Sequence, residues 1–439
     1  MKITNKTKGA TVVEYAVLAG GLSIAAISAM YMLGKENSEV FNAAAGKVEE
    51  SRESMTSGGN TSQPGPSPSP DPDTEGAMLL TYNASNSEVT LPLHGSVNAS
   101  IDWGGPSTTC PTTVSSAGDI TCTYDAPGTY TVAITGTVTQ FGNTQWAPVE
   151  NAANLISIDD WGSTGLTSLY QAFKGASNLA SLPGDLPATV NNLFATFRNS
   201  GYNGTDISTW DTSNVTNMSY TFADTNFNQD ISSWNTSNVG SMEGMFTGAS
   251  LFDQPIGSWS TSSLHSTGYM FRDAVNFNRD LSGWSMGGVT WAPEMFAGAT
   301  NFNGNISTWD MSQARDIGEI FKNASSFNGN ISAWNTLNLE NLSGAFRGAT
   351  SFDQNIGGWN TSNVYSMNYA FKDAISFDQD LSSWSTGRVD TMDNMFEGAS
   401  VFDQDLSGWC VTRISTKPAN FDTGATAWAS QRPVWGTCP

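Results

Sequence analysis

One row of polar side chains in this sequence could do chemistry. Carboxylate and amide oxygens at regular spacing could bind calcium, and a pair of carboxylates could hydrolyse a glycosidic bond. The alternative is structural, because Asn and Asp favour turns and accept hydrogen bonds from turn amides. We favour turns, because the two residue types interchange and Pro255 takes one place. The row comprises Asp230, Asp280, Asn305, Asn330, Asn355, Asp380 and Asp405.

A second row carries hydroxyl groups. A regular hydroxyl array could bind a repeating polymer such as a glycan, but small side chains are also what close stacking of repeats requires. We favour the packing interpretation. The row comprises Thr212, Thr236, Thr261, Thr336, Thr361 and Thr386, and it is broken by Met286 and Met311.

The four cysteines fall into two local pairs, Cys110 with Cys122 and Cys410 with Cys438. Neither pair has Cys-x-x-Cys spacing, and both histidines lie far from any cysteine site, so the pattern argues against zinc. Two disulfides formed outside the cytoplasm explain it better. No phosphate loop, nucleotide motif or metal signature occurs. We therefore expect no catalytic residue, no cofactor and no metal, and we predict that the protein is not an enzyme.

The rows belong to a repeat whose period can be counted. From Trp234 onward a tryptophan recurs every 25 residues, and a phenylalanine stands twelve residues after each one. Val239, Met242 and Phe246 are spaced like one face of a helix. The pattern predicts a short strand at 231–234 and a short helix in each unit, with stacking to bury both. The expected core includes Trp234, Phe246, Phe252, Trp259, Trp309, Trp359 and Trp409.

The unit motif, Ile-Ser-x-Trp-Asn-Thr-Ser-x-Val followed by Met-Phe-x-Gly-Ala-x-x-Phe, resembles the BspA-like (DUF285) branch of leucine-rich repeats. The resemblance implies a strand/helix solenoid over residues 154–409. The different sequence at 410–439 predicts a C-terminal cap, closed by the disulfide between Cys410 and Cys438.

Residues 77–153 contain β-prone runs bounded by Gly, Pro, Asn or Asp. Ile101-Asp-Trp-Gly-Gly105 and Ala126-Pro-Gly-Thr-Tyr-Thr-Val132 resemble the PKD-like β-sandwich. The usual Asp-Gly after Trp-Gly is absent, so only the fold is carried over. Before this segment, residues 56–76 form a Pro/Ser/Gly linker, which predicts an extended spacer.

The N-terminal stretch from Ala10 to Leu33 is apolar and holds one charged side chain, Glu14, and lysines precede it. Its length is enough to span a bilayer. Gly9, Ala10, Glu14 and Tyr15 resemble the cleavage region of Flp/Tad-type (type IVb) prepilins. The resemblance implies a leader at 1–9, removed by prepilin peptidase, and a pilin helix at 10–55. An uncleaved signal anchor is the alternative.

In a pilin, insertion of the precursor into the inner membrane would precede assembly into an extracellular filament. Glu14 of one subunit would then neutralise the Ala10 amine of a neighbour, because an unpaired buried charge is costly. The implied partners are other copies of the chain in a helical filament, the peptidase and the pilus assembly machinery.

The charge distribution excludes other partners. The net charge of −22 arises entirely after residue 55, where 12 basic residues face 34 acidic ones. Such a surface repels nucleic acid and anionic membranes. We therefore expect no nucleic-acid partner.

These observations predict an α+β multidomain protein: a long pilin helix, a Pro-rich linker, a small β-sandwich, and a strand/helix solenoid of 25-residue units. The predicted function is a pilus subunit that displays the repeats for adhesion or surface contact, with a glycan or surface receptor as ligand. The alternative is a membrane-anchored repeat adhesin that does not polymerise.

Overall fold

The computed structural model describes residues 75–107, 109–145 and 149–439. The predicted leader at 1–9 and the predicted helix at 10–55, with Gly9, Ala10, Glu14 and Tyr15, lie outside these residues. So does the linker at 56–76 except for its last two positions. The described residues form a β-sheet followed by a stack of repeats.

Six strands make one hydrogen-bonded sheet: β1 (Met78–Ala84), β2 (Glu88–Asp102), β3 (Thr113–Val114), β4 (Gly118–Thr123), β5 (Gly128–Phe141) and β6 (Leu155–Asp160). Their order is β3-β2-β5-β1-β6, with β4 also paired to β2. Strand β2 is the longest, and its pairing with β5 shifts register between His94 and Val97. Gly95 lies at this shift with a φ of 71°, a conformation that glycine adopts without strain.

The sheet continues directly into the repeats. Gln140 of β5 forms a parallel bridge with Ser168, and Ser157 of β6 forms one with Ser181. The rings of Phe141 and Trp161 each lie 6.3 Å from the ring of Phe173 in the first repeat layer. The sheet therefore closes the N-terminal end of the stack, as a capping element of a repeat array must.

Each repeat unit is a coil of turns with a single-residue β-bridge. Ser241 bridges in parallel to Asn217 in the unit before and to Ser266 in the unit after. After the bridge residue, the backbone amides follow one of two patterns. Some donate to a carbonyl of the next unit, and those between them donate to the carbonyl three residues back in the same unit. Thus the N–H of Met242 donates to Ser266 (3.2 Å), and the N–H of Met245 donates to Met242 (3.2 Å). Each coil therefore depends on its neighbour for half of these hydrogen bonds.

The α+β class is wrong, and the described residues are almost entirely β-sheet, bridges and turns. Their only helix is a three-residue 3-10 turn, Ala152–Asn154. The expected helix over Val239–Phe246 does not form because Gly244 and Gly248 have φ values of 58° and 67°. A left-handed residue every fourth position interrupts an α-helical path. The solenoid is therefore not the strand/helix structure that the repeat motif suggested.

The misleading apolar spacing has a simple cause. Successive four-residue turns bring Val239, Met242 and Phe246 into the core, at the same separations as one face of a helix. The expected strand Ile231–Trp234 is also a turn, closed by the N–H of Trp234 donating to Ile231 at 3.1 Å.

The predicted membrane insertion is not supported either. In the part of the chain that the structure describes, no helix combines the length and apolarity needed to cross a membrane. The predicted localisation, an inner-membrane precursor that becomes a surface filament, is therefore not supported.

Three columns of aromatic rings fill the repeat core. Neighbouring tryptophan rings stack with centroids 5.8–6.5 Å apart, and two phenylalanine columns run beside them through Phe246 and Phe252, whose rings are 3.8 Å apart. Each tryptophan also donates its indole N–H to a carbonyl of the preceding unit; for Trp309 the acceptor is Leu281, at 3.0 Å. All seven expected core residues are at most 3% exposed.

A polar column runs along the outside of the coil. At one position per unit, a side-chain oxygen accepts the backbone N–H at the same position of the next unit, or of the cap, at 2.7–3.0 Å. This column holds the units in register. Its members are Asn228, Asp253, Asn278, Asn303, Asn328, Asp353, Asp378 and Asp403.

The C-terminal end is closed by rings that break the stacking pattern. Trp428 lies edge-on to Phe402 with centroids 4.7 Å apart, and Trp435 lies edge-on to Phe421 at 4.9 Å. The disulfide Cys410–Cys438 ties this segment to the last full unit. The second disulfide, Cys110–Cys122, joins the loop after β2 to β4. Both predicted disulfides are present.

Replacing Trp309 with Phe should destabilise the stack. The variant loses the hydrogen bond to the Leu281 carbonyl and leaves space in a close-packed column, which together cost about 2 kcal/mol. Urea denaturation measures the loss. Leu337→Ala is the control, because that side chain is 52% exposed and should change stability by less than about 0.5 kcal/mol. Equal effects of the two substitutions would contradict the structural role of the column.

The double variant Cys410→Ser/Cys438→Ser should loosen the cap. The disulfide spans 28 residues, and closing a loop of that size stabilises by about 3–4 kcal/mol in the chain-entropy model. Hydrogen exchange should rise in residues 411–439 before it rises around Trp309. Uniform exchange along the stack would show that the disulfide acts on the whole array.

Candidate functional site

The row of Asp and Asn side chains lies in tight turns. The Asp230 carboxylate accepts the N–H of Ser232 at 2.9 Å, and the Asn305 side chain accepts the N–H of Ser307 at 3.1 Å. All other members make the same contact with the amide two residues on. The turn interpretation is confirmed, since amide and carboxylate oxygens accept the same backbone hydrogen bond.

The pKa of Asp230 does not suit a general acid. Between two of them lies an open groove of about 720 Å³, lined by Asp206, Gln229 and Asp230 among other polar residues. The hydrogen bonds from Ser232 lower the pKa of Asp230, whereas a general acid needs a raised pKa. Among the residues that the structure describes, no group of three or more His, Cys, Asp or Glu side chains could hold a metal ion.

The hydroxyl row is buried rather than displayed. Thr236 is 1% exposed, and its hydroxyl donates to the carbonyl of Ser260 in the next unit at 2.9 Å. Thr361 does the same with Ser385 at 3.0 Å. The packing interpretation is confirmed, and a glycan cannot reach this row.

The surface along the β-bridges has a different character. We call it the bridge face. In the unit of Phe246 it consists of Gly240, Ser241, Glu243, Gly244 and Thr247, together with their equivalents in other units. Core positions repeat the same residue types, but bridge-face positions do not. The position of Gly240 holds, in successive units, Thr216, Gly240, His265, Thr290, Arg315, Glu340, Tyr365 and Asp390.

Aromatic rings gather on the bridge face. Tyr365 and Tyr369 are 48% and 37% exposed. Trp291, at the bridge position of its unit, stands edge-on to Tyr269 with centroids 5.4 Å apart. Near the N-terminal end of the stack, further rings extend the series: Tyr170, Phe194 and Tyr220, with centroids of neighbours 4.7 and 5.8 Å apart.

Basic residues concentrate on the same face. Of the 12 basic residues after residue 55, seven lie there: Lys174, Arg198, Arg272, Arg315, Lys322, Arg347 and Lys372. Several pair with carboxylates across the bridges, for example Arg272 with Glu294 at 3.1 Å and Lys372 with Glu397 at 2.5 Å. The Arg347 guanidinium lies 5.5 Å from the ring centroid of Tyr369. The bridge face is thus close to neutral on a strongly acidic protein.

Sequence reasoning missed this face, although a signal was present. In six units a Lys or Arg directly follows the first phenylalanine, as Arg272 follows Phe271. The predicted cleavage and assembly residues Gly9, Ala10, Glu14 and Tyr15 lie outside the described residues and are not brought into any site.

The repeats match a family model described as "Mycoplasma protein of unknown function, DUF285" over residues 145–225, 188–297, 278–359 and 319–435. The chain belongs to the DUF285 family. The repeat resemblance is therefore confirmed. The matches begin at residue 145, so the pilin and PKD-like resemblances receive no support from them. No curated protein and no solved structure matches the chain.

The stability of this DUF285 protein should fall in acid, in part because its turn aspartates become protonated. Hydrogen bonds from the following Ser residues lower the pKa values of Asp230, Asp280 and Asp405. Their stabilisation is present above the unfolded pKa of about 3.9 and is lost as the pH falls through the lower folded pKa. The triple Asp→Asn variant should keep its turns, as Asn305 does, with a weaker dependence of the thermal midpoint between about pH 4 and pH 2.

The matched control is Asp159→Asn, which lies in the sheet. If the triple variant kept the pH dependence of the unaltered protein, the turn carboxylates would not be responsible for it.

Proposed function

We propose that this DUF285 protein is a non-catalytic binding protein, and that its bridge face attaches it to a macromolecule on another surface. The observation that carries the proposal is the contrast within each unit. Core and turn positions repeat with little change, whereas bridge-face positions vary from Gly to Tyr, Arg and Glu. Variation on one face of a constant frame is typical of the binding surface of repeat proteins.

The shape of the frame supports this assignment. Parallel bridges run from Ser168 to Thr391, one per unit. With units about 4.8 Å apart, the bridge face offers an extended strip rather than a pocket. Repeat arrays use such strips to bind long ligands.

Charge and disulfides support a role in surface contact. The acidic body repels nucleic acid, while the bridge face balances its charges in pairs such as Arg315 with Glu340 at 2.6 Å. The two disulfides suit an oxidising compartment. Pilus assembly is not part of the proposal, because neither the described residues nor the family match supports it.

Substitutions on the bridge face test the proposal in the full chain. The variant Tyr269→Ala/Trp291→Ala/Tyr365→Ala/Tyr369→Ala should adsorb at least about tenfold less to the surfaces that bind the unaltered protein. The measurement is adsorption of labelled protein to bacterial cells, animal cells and extracellular-matrix coatings.

The matched control removes four exposed apolar side chains elsewhere: Leu251→Ala/Val275→Ala/Leu337→Ala/Val401→Ala. This variant should adsorb like the unaltered protein. The proposal fails if the control loses as much adsorption as the bridge-face variant, or if no tested surface retains the unaltered protein.

A further inference from the structure

We infer that the occupant of the bridge face is an uncharged linear polysaccharide, whose sugar rings stack on the aromatic side chains. This inference rests on the proposed function and names its ligand class. Four observations lead to it: the seating of the rings, their spacing, the pairing of the charges and the absence of an apolar core in the face.

Two rings on this face are held in place by glycines of neighbouring units. A Cβ atom added to Gly268 would lie 2.3 Å from the indole ring of Trp291, so that ring rests directly on the Gly268 backbone. The Tyr220 ring rests on Gly244 in the same way, also at 2.3 Å. A ring already fixed loses little conformational freedom on binding. Its outer side can receive the C–H groups on one side of a pyranose.

The spacing of the rings suits a chain of sugars. Neighbouring units bring bridge residues together at the strand spacing of about 4.8 Å, close to the length of one sugar residue in an extended chain. Trp291 is one unit beyond Tyr269, and Tyr369 is three units beyond Trp291. Tyr269 and Tyr369 occupy the same position four units apart, and Trp291 lies between them at the bridge position. Rings spread along the face in this way can contact different sugars of the same chain.

The charged groups favour hydroxyl-rich, uncharged ligands. Arg272 and Glu294 are paired at 3.1 Å, and Lys322 and Glu319 at 2.7 Å, and all of them remain partly exposed. Such pairs offer fixed donors and acceptors to hydroxyl groups without a net field. A polyanionic chain would gain little from compensated cations, and the body of net charge −22 would repel it.

A protein partner fits this face less well. The core of a protein interface is depleted in charged residues and fully desolvated. Between Trp291 and Tyr369 the bridge face instead carries charged side chains in each unit: Glu294, Arg315, Asp316, Glu319, Lys322, Glu340 and Arg347. Burying them all under another protein would be costly, whereas a hydrated polysaccharide leaves them in contact with water.

Affinity electrophoresis of the full chain tests the inference. Native gels contain β-1,3-glucan, xylan, galactomannan or dextran as uncharged polymers, and alginate or hyaluronate as polyanions. At least one uncharged polymer should retard the unaltered protein more than either polyanion does. Trp291→Ala should weaken binding to it by about tenfold or more.

Gly268→Ala is the second variant, because it keeps Trp291 but lifts its ring from the backbone. Gly268 does not have a positive φ, so the new methyl group acts on the ring without backbone strain. It should also weaken binding, while Leu337→Ala should not. Matching thermal midpoints would show that all three variants are folded.

Three results would overturn the inference while leaving the proposed function in place. One is stronger retardation by the polyanions. Another is adsorption to cells that is abolished by protease treatment of the cells but survives periodate oxidation of their glycans, which would identify a protein ligand. Normal polysaccharide binding by both Trp291→Ala and Gly268→Ala would also overturn it. Loss of all surface adsorption by the unaltered protein would instead refute the proposed function itself.

Discussion

The structure depends on hydrogen bonds between a backbone amide in one coil and a carbonyl in the next. A unit of this protein contains no helix and no strand longer than a single bridge, so it cannot satisfy its own backbone. The N–H of Phe246 donates to Met270, and that of Gly248 donates to Arg272. No unit can hold its conformation without the next, and the array is therefore stable only as a stack whose two ends are covered.

The aromatic columns follow from this constraint. Once the backbones are in register, equivalent side chains lie above one another, and flat rings fill such columns without gaps. Each indole N–H then meets a backbone carbonyl, as Trp334 meets Ile306 at 3.0 Å. The asparagine and aspartate column through Asn328 plays the same part on the outer surface. Because both sides of the coil are committed to stacking, variation is confined largely to the bridge face.

The sequence predicts the register of the fold better than its local conformation. Counting Trp234 and its equivalents yields the repeat period, and local pairing of cysteines yields both disulfides. The conformation within a unit could not be predicted, because apolar residues at i, i+3 and i+7 satisfy both a helix and a series of four-residue turns. The distinguishing signal is the residue at the Gly248 position. It is always Gly, Asn or Asp from Asn199 to Gly398, types that tolerate a left-handed backbone. The bridge face was missed because most of its positions share a location and not a residue type, apart from the Lys or Arg that follows the first phenylalanine in six units.

The two ends of the stack differ from everything between them, and this difference has an evolutionary consequence. The sheet meets the first layers, through Phe173 and the bridge from Ser157 to Ser181, and the edge-on rings of Trp428 and Trp435 meet the last ones. Duplication or loss of one 25-residue segment would leave both closures intact. The unit ending at Phe227 is already one residue shorter than its neighbours without disturbing the register. Related genes can therefore differ in the reach of the encoded protein by whole steps, and natural length variants should differ by multiples of one unit.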